Sequence, residues 1–221
     1  MMKKFIFIAP LQPVEFDEKG NVTKNLLRKS IYKAVGNSKL IYDQSTGFPI
    51  IPVINGYVEK GEEIQVIAVV PDQDSARYHV DEFRQELRKL ANEKEFSFGD
   101  DVLTVPVRYA GDVECQLEIF KKLLPCIEDE DTLFACLTYG NKPMPIAELM
   151  ALQYGYRVLE NVSIGCLVYG EVDHSSPKHE MTIFDITALI HVDELVRLLA
   201  QQKVKEPRQF LEAVLSEDNL E

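Results

Sequence analysis

The sequence predicts an α/β fold: a Rossmann-like, largely parallel sheet with helices on both faces, a C-terminal β-hairpin element and a short helical tail. Three observations predict it. Short apolar runs alternate with helical patterns from Phe5 to Val158, an order that implies βαβ crossovers. The apolar runs lack polar/apolar alternation, as strands covered on both faces do. The 221 residues, 46% of them hydrophobic, can bury one sizeable domain plus a small helical appendage.

The elements follow in order. Lys4 to Ala9 is an apolar run ended by Pro10 and reads as a first buried strand. The leading Met1-Met2-Lys3-Lys4 precedes too short an apolar stretch for a signal peptide. Residues 11–60 hold too much chain for one connection: an irregular or hairpin piece through Tyr42, then a helix with Ile50, Ile51, Val53, Ile54, Tyr57 and Val58. Glu63–Val70 is the second strand. Val80, Phe83, Leu87, Leu90 and Ala91 repeat at helical spacing, and Val102–Val107 is the third strand. Val113, Leu117, Phe120 and Leu124 form the next helix, with Asp112 as N-cap. Thr132–Thr138 is the fourth strand, and Ala147, Met150, Ala151, Tyr154 and Val158 mark the helix after it. Val162–Tyr169 and Met181–Ile186 flank a polar loop, which suits a hairpin better than a crossover. Val192, Leu195, Val196 and Leu199 then share a helical face, and Pro207 opens a last short helix. The expected organisation is a domain over residues 1–190 and a helical tail over 191–221.

Charge and cysteine usage narrow the function classes. Acidic residues outnumber basic ones by 36 to 24, and the net charge of −12 repels long duplex nucleic acid. A short anion in one pocket remains compatible, because salt screens the distant field within about 8–10 Å. No apolar stretch reaches the length of a membrane span. Cys115, Cys126, Cys136 and Cys166 contain no Cys-x-x-Cys pair and read as free thiols of a reducing, cytoplasmic compartment.

Open α/β sheets bind ligands beyond the carboxyl ends of their strands. Two such ends carry chemistry here. Pro10, Leu11 and Gln12 leave the first strand, stiffened by Pro10 and Pro13. Thr138, Tyr139, Gly140, Asn141 and Lys142 leave the fourth and open a helix. Gly140 permits close backbone approach, and the helix start is expected to offer unpaired amides to a phosphate. Thr138 adds a hydroxyl, Asn141 an amide and Lys142 a cation, while Pro143 and Pro145 suit a first helical turn. The pattern is neither a Walker loop nor a dinucleotide fingerprint, and a tight turn with a solvated lysine would share it.

The run Leu137-Thr138-Tyr139-Gly140-Asn141-Lys142-Pro143-Met144-Pro145, with the helix to Arg157 and the strand Ser163–Gly170, resembles the CARF domains of type III CRISPR defence. Thr138, Gly140 and Lys142 match that family's turn; Cys136 stands where it has an acid. The resemblance implies a homodimer that binds cyclic oligoadenylate across its two-fold axis, with no cofactor or metal. It further implies two roles for a domain without an attached effector. One is a ring nuclease, in which Lys142 and the amides near Gly140 stabilise phosphate charge and Gln12 orients the ribose. The other is a non-catalytic sensor that regulates a separate effector. No histidine stands in the spacing of a HEPN ribonuclease motif. An unrelated nucleotide- or phosphometabolite-using α/β enzyme is the third reading.

Other features are set aside. Asp173, His174, His179 and Glu180 lie in a polar loop, where a metal is not expected. Tyr139 and Tyr169 could stack on a base or simply pack. Asp185-Ile186-Thr187 reads as a strand end.

Overall fold

The computed structural model describes residues 1–172 and 180–215. The chain divides into two compact units, Met1–Asp185 and Ile186–Glu221. In the first, β1 (Lys3–Ile8) leads to a hairpin of β2 (Val14–Phe16) and β3 (Val22–Asn25), then β4 (Tyr32–Val35) and α1 (Ile50–Tyr57). β5 (Ile64–Pro71), α2 (Asp74–Lys94), β6 (Leu103–Val107), α3 (Val113–Leu123), β7 (Thr132–Cys136) and α4 (Pro143–Val158) alternate. β8 (Ser163–Val172) and β9 (Met181–Asp185) close the unit. The second unit contains α5 (Ala188–Gln202) and α6 (Pro207–Val214), joined by a left-handed turn at Lys203.

Seven strands form one sheet in the order β4-β9-β8-β7-β1-β5-β6. The pairs β8/β7, β7/β1, β1/β5, β5/β6 and β4/β9 are parallel, and β8/β9 is antiparallel. This is the predicted Rossmann-like α/β architecture, with its antiparallel pair where the hairpin was expected. Parallel neighbours require right-handed crossovers. The chain moves outward from β1 through β5 to β6, then returns across β1 to β7 and β8. The reversal places α1 and α2 on one face and α3 and α4 on the other; α1 accordingly packs with α2, and α3 with α4.

The core explains the unbroken apolar strands. Phe5 of β1 stacks on Phe134 of β7 at 4.5 Å between ring centroids, and Phe7 packs on Phe83 of α2. Ile6 and Ile8, alternating with them along the strand, are completely buried on the opposite face. At the amino ends of the strands the buried Lys4 ammonium lies 2.9 Å from the equally buried Asp131 carboxylate. Asp112 caps α3 by accepting from the Cys115 amide at 2.7 Å, as its position before an apolar-periodic run predicts.

One element departs from the sequence reading. Residues 11–42 contain the expected hairpin but also β4, an edge strand of the main sheet. Its partner β9 lies far along the chain, and only Tyr32 of its four residues is buried, so its local pattern is weak. Asp185 does end a strand, and its carboxylate accepts from Asn37 at 2.6 Å. Among the described residues no helix is long and apolar enough to cross a membrane. Residues 173, 174 and 179 of the set-aside polar loop lie outside the described residues, and Glu180 is exposed.

Candidate functional site

The strand order makes β1 and β7 the neighbours at which the chain reverses direction. Their carboxyl ends therefore flank the crevice where open α/β sheets bind ligands. The loops leaving these two strands are the ones that the sequence singled out.

The β1 exit is held rigidly. Pro10 is buried, and its carbonyl oxygen lies 3.0 Å from Nδ1 of His79, a fully buried residue of α2. Nε2 of the same ring lies 3.2 Å from the side-chain oxygen of Asn25 at the end of β3. Burial pushes the His79 pKa below its ordinary value, and its Nδ1–H donates to the Pro10 carbonyl. Leu11 is half-buried. The Gln12 carboxamide oxygen is buried and has no hydrogen-bond partner among the described residues.

The β7 exit is built on two glycines. Gly140 has φ of +93°, and a Cβ there would come within 3.0 Å of Met144 and 3.3 Å of Ile8. Both conformation and space thus demand glycine. Gly170 of β8 approaches equally closely: a Cβ there would lie 2.6 Å from Pro49 and 3.3 Å from the Thr138 hydroxyl. The approach lets the Gly170 amide donate to Thr138 Oγ1 at 2.8 Å. Cys136 also donates to that oxygen, at 3.1 Å, and burial pushes its thiol up to about 12.

Tyr139 is a wall. Its ring is buried and its hydroxyl donates to the Gly47 carbonyl, which leaves no exposed face for stacking on a base. Tyr169, by contrast, is exposed on β8.

Two parts of the expected phosphate seat lie differently from the sequence reading. Unpaired amides were expected at the start of α4. Pro143 and Pro145 have no N–H, and the Met144 amide is already donated to Asn141 at 2.9 Å. The first helical turn is therefore poor in free donors. The turn before it is richer: the amides of Gly140, Asn141 and Lys142 make no backbone hydrogen bond among the described residues. The Asn141 side-chain oxygen is buried without a partner.

Lys142 is exposed and belongs to a different recess. It borders an apolar groove of about 620 Å³ between α3 and α4, lined by Leu117, Phe120, Ile146 and Met150 among others. Gln12 and Thr138, in contrast, line one cleft of about 210 Å³ at the strand ends. Three of its other lining residues, Arg28, Tyr32 and Met181, had no signal at the strand exits that were read from sequence. They arrive through β4, β9 and the segment before them.

No protein-family model matches the chain, and no curated protein matches it. Among the described residues no group of three or more His, Cys, Asp or Glu side chains could hold a metal ion. What the arrangement offers is hydrogen-bond donors, one guanidinium and one unfilled carboxamide oxygen around a cleft at the switch point. Those groups suit binding and orienting a polar anion.

Proposed function

We propose that this protein binds cyclic oligoadenylate as a two-fold dimer and cuts it without a metal. One observation carries the reading: Gln12 and Thr138, far apart in sequence, line a single cleft at the topological switch point. The likeness of the turn at 137–145 to CARF domains names the ligand class.

Two further features support the dimer. The cleft is smaller than the roughly 300–1,000 Å³ of ordinary ligand pockets, so a cyclic oligonucleotide must extend beyond it. A ring with internal symmetry is matched by two copies of the cleft about a two-fold axis. The face of α3 and α4 also exposes Val113, Leu117, Ile146 and Met150, an apolar patch of the kind that pairs protein surfaces. Lys142 stands at its rim, so pairing through this face carries each lysine towards the partner.

Cleavage follows from placement. The 2′-oxygen of one ribose attacks the adjacent phosphorus in line as the bond to the 5′-oxygen breaks. A 2′,3′-cyclic phosphate and a 5′-hydroxyl result, and the proton of the 2′-hydroxyl ends on the departing oxygen. The unfilled Gln12 oxygen accepts from the 2′-hydroxyl and fixes its direction, while donors around the phosphate stabilise its charge.

The test is incubation with a panel of cyclic oligoadenylates followed by mass analysis and titration. Linear products ending in cyclic phosphate are expected. Binding without turnover would reduce the protein to a sensor, and neither binding nor turnover would refute the reading.

A further inference from the structure

We infer that Arg28, Tyr32 and Thr138 form the phosphate seat of this protein, in place of the α4 N-terminus. The inference rests on the cyclic-nucleotide reading only for which phosphate ester is held; the seat itself follows from the donors in the cleft.

Tyr32 and Arg28 bring donors to the cleft that no protein group among the described residues takes, and Thr138 lines it with a hydroxyl. The Thr138 oxygen accepts from the Gly170 amide at 2.8 Å and lies 3.1 Å from Cys136 Sγ, at the wall of the cleft. Tyr32 is only 4% exposed, yet its hydroxyl makes no hydrogen bond of adequate geometry. It lies close enough to the Tyr139 hydroxyl for the two to influence each other's ionisation, and burial keeps both neutral. A buried hydroxyl without a partner is costly, and such groups persist where a ligand completes them.

Arg28 supplies the charge. In a chain of net charge −12, Arg77, Arg84, Arg88, Arg108, Arg197 and Arg208 each face a carboxylate. The adjacent Lys29 is engaged by Glu82 and Glu86 at 2.8 Å. Arg28 has no ion pair among the described residues and lines the cleft with Tyr32 and Thr138. Its planar fork matches two oxygens of a phosphate at once.

The rest of the cleft agrees with an anion. Leu26, Leu27, Val172 and Met181 give it apolar walls, which strengthen charged hydrogen bonds by excluding water. Its volume of about 210 Å³ accommodates a phosphate with part of its sugar. Gln12 presents an unfilled acceptor, suited to a hydroxyl beside the phosphate.

The test uses the full chain and two probes. First, inorganic phosphate is titrated against chloride at equal ionic strength, following the Arg28 Nε–H and Thr138 amide resonances. Saturable shifts are expected with phosphate, lost in Arg28→Met and at least tenfold weaker in Tyr32→Phe. Absent shifts, shifts unchanged in the variants, or equal affinity for acetate would each overturn the seat.

Second, the same variants are titrated with the cyclic oligoadenylates. Binding by the wild type that survives both substitutions would overturn the seat and leave the cyclic-nucleotide reading standing. Phosphate binding that depends on Arg28 and Tyr32, in a protein that ignores every cyclic oligoadenylate, would support the seat and sink that reading. Tyr32→Phe keeps the ring and removes an unsatisfied hydroxyl, so its melting temperature should rise while its affinity falls. A merely structural role would move both in the same direction.

Discussion

Glu148 offers the most quantitative test of the physical reasoning. It sits in the middle of the buried stripe of α4, with Met144, Ala147, Ala151, Leu152 and Gly155. It is fully buried, and neither carboxyl oxygen has a hydrogen-bond partner among the described residues. Burial alone pushes its pKa well above the ordinary 4.5, so the folded protein holds a neutral carboxylic acid there. The unfolded chain releases that proton above pH 4.5. The folded state then binds more protons than the unfolded one, and stability falls as pH rises, by about 1.4 kcal/mol per pH unit. The loss continues until the folded carboxyl itself ionises. Each unit at that limiting slope is a large share of the roughly 5–15 kcal/mol that holds a domain together.

Glu148→Gln removes the ionisation at nearly constant shape. Its advantage over the wild type should grow with pH, by up to about 1.4 kcal/mol per unit while the folded carboxyl stays protonated. Glu148→Met also removes the unsatisfied polar group and should add about 1–3 kcal/mol at every pH. Urea unfolding of all three proteins at pH 5, 6, 7 and 8 reads the effect in the midpoint with m unchanged. Comparing variant with wild type at each pH cancels every other titrating group. Parallel pH profiles for wild type and Glu148→Gln would refute the buried neutral acid.

Other perturbations probe the site and its support. Gly140→Ala forces a side chain into φ of +93° and against Met144, and should cost about 1–3 kcal/mol in urea unfolding. The folded pKa of His79 is depressed, so stability should be lost as pH falls below its ordinary 6.5. His79→Phe should abolish that acid sensitivity and loosen the loop at Pro10, seen as faster amide exchange there; an unchanged acid limb would exclude His79 as its source. Lys142→Ala should weaken cyclic oligoadenylate binding while leaving the urea midpoint within about 0.5 kcal/mol, as expected of an exposed residue. Leu117→Asp places a charge on the exposed α3–α4 face, and on the proposed pairing sedimentation should report a dimer for the wild type and a monomer for the variant.

The fold was legible where the information was local. Unbroken apolar runs such as Phe5–Ile8 revealed buried parallel strands, and the spacing of Val80, Phe83 and Leu87 revealed α2, because burial on both faces or on one stripe leaves a periodic mark. β4 left almost none. An edge strand has one free side and half its residues in solvent, and its register is set by β9 from the other end of the chain. The strand order was equally invisible, since the reversal at β1 is a choice among topologies that all satisfy the same pattern. Without it, the exits at Gln12 and Thr138 could be named as candidates, but nothing made them neighbours.

The same division explains the site, with one instructive exception. Tyr32 and Arg28 escaped because they reach the cleft through that edge strand, whose pairing is remote. The poverty of donors at the start of α4 had no such excuse. Pro143 and Pro145 are in the sequence, and a proline has no N–H to present to an anion, however well its φ suits a first helical turn. The helix dipole still points at the turn, whose Gly140, Asn141 and Lys142 amides make no backbone hydrogen bond among the described residues, but the first helical turn itself adds no donor there. An anion at this switch point therefore draws donors from beyond the first turn of α4. The unfilled hydroxyl of Tyr32, the Thr138 hydroxyl in the same cleft and the Arg28 guanidinium, without an ion pair among the described residues, are where such donors stand.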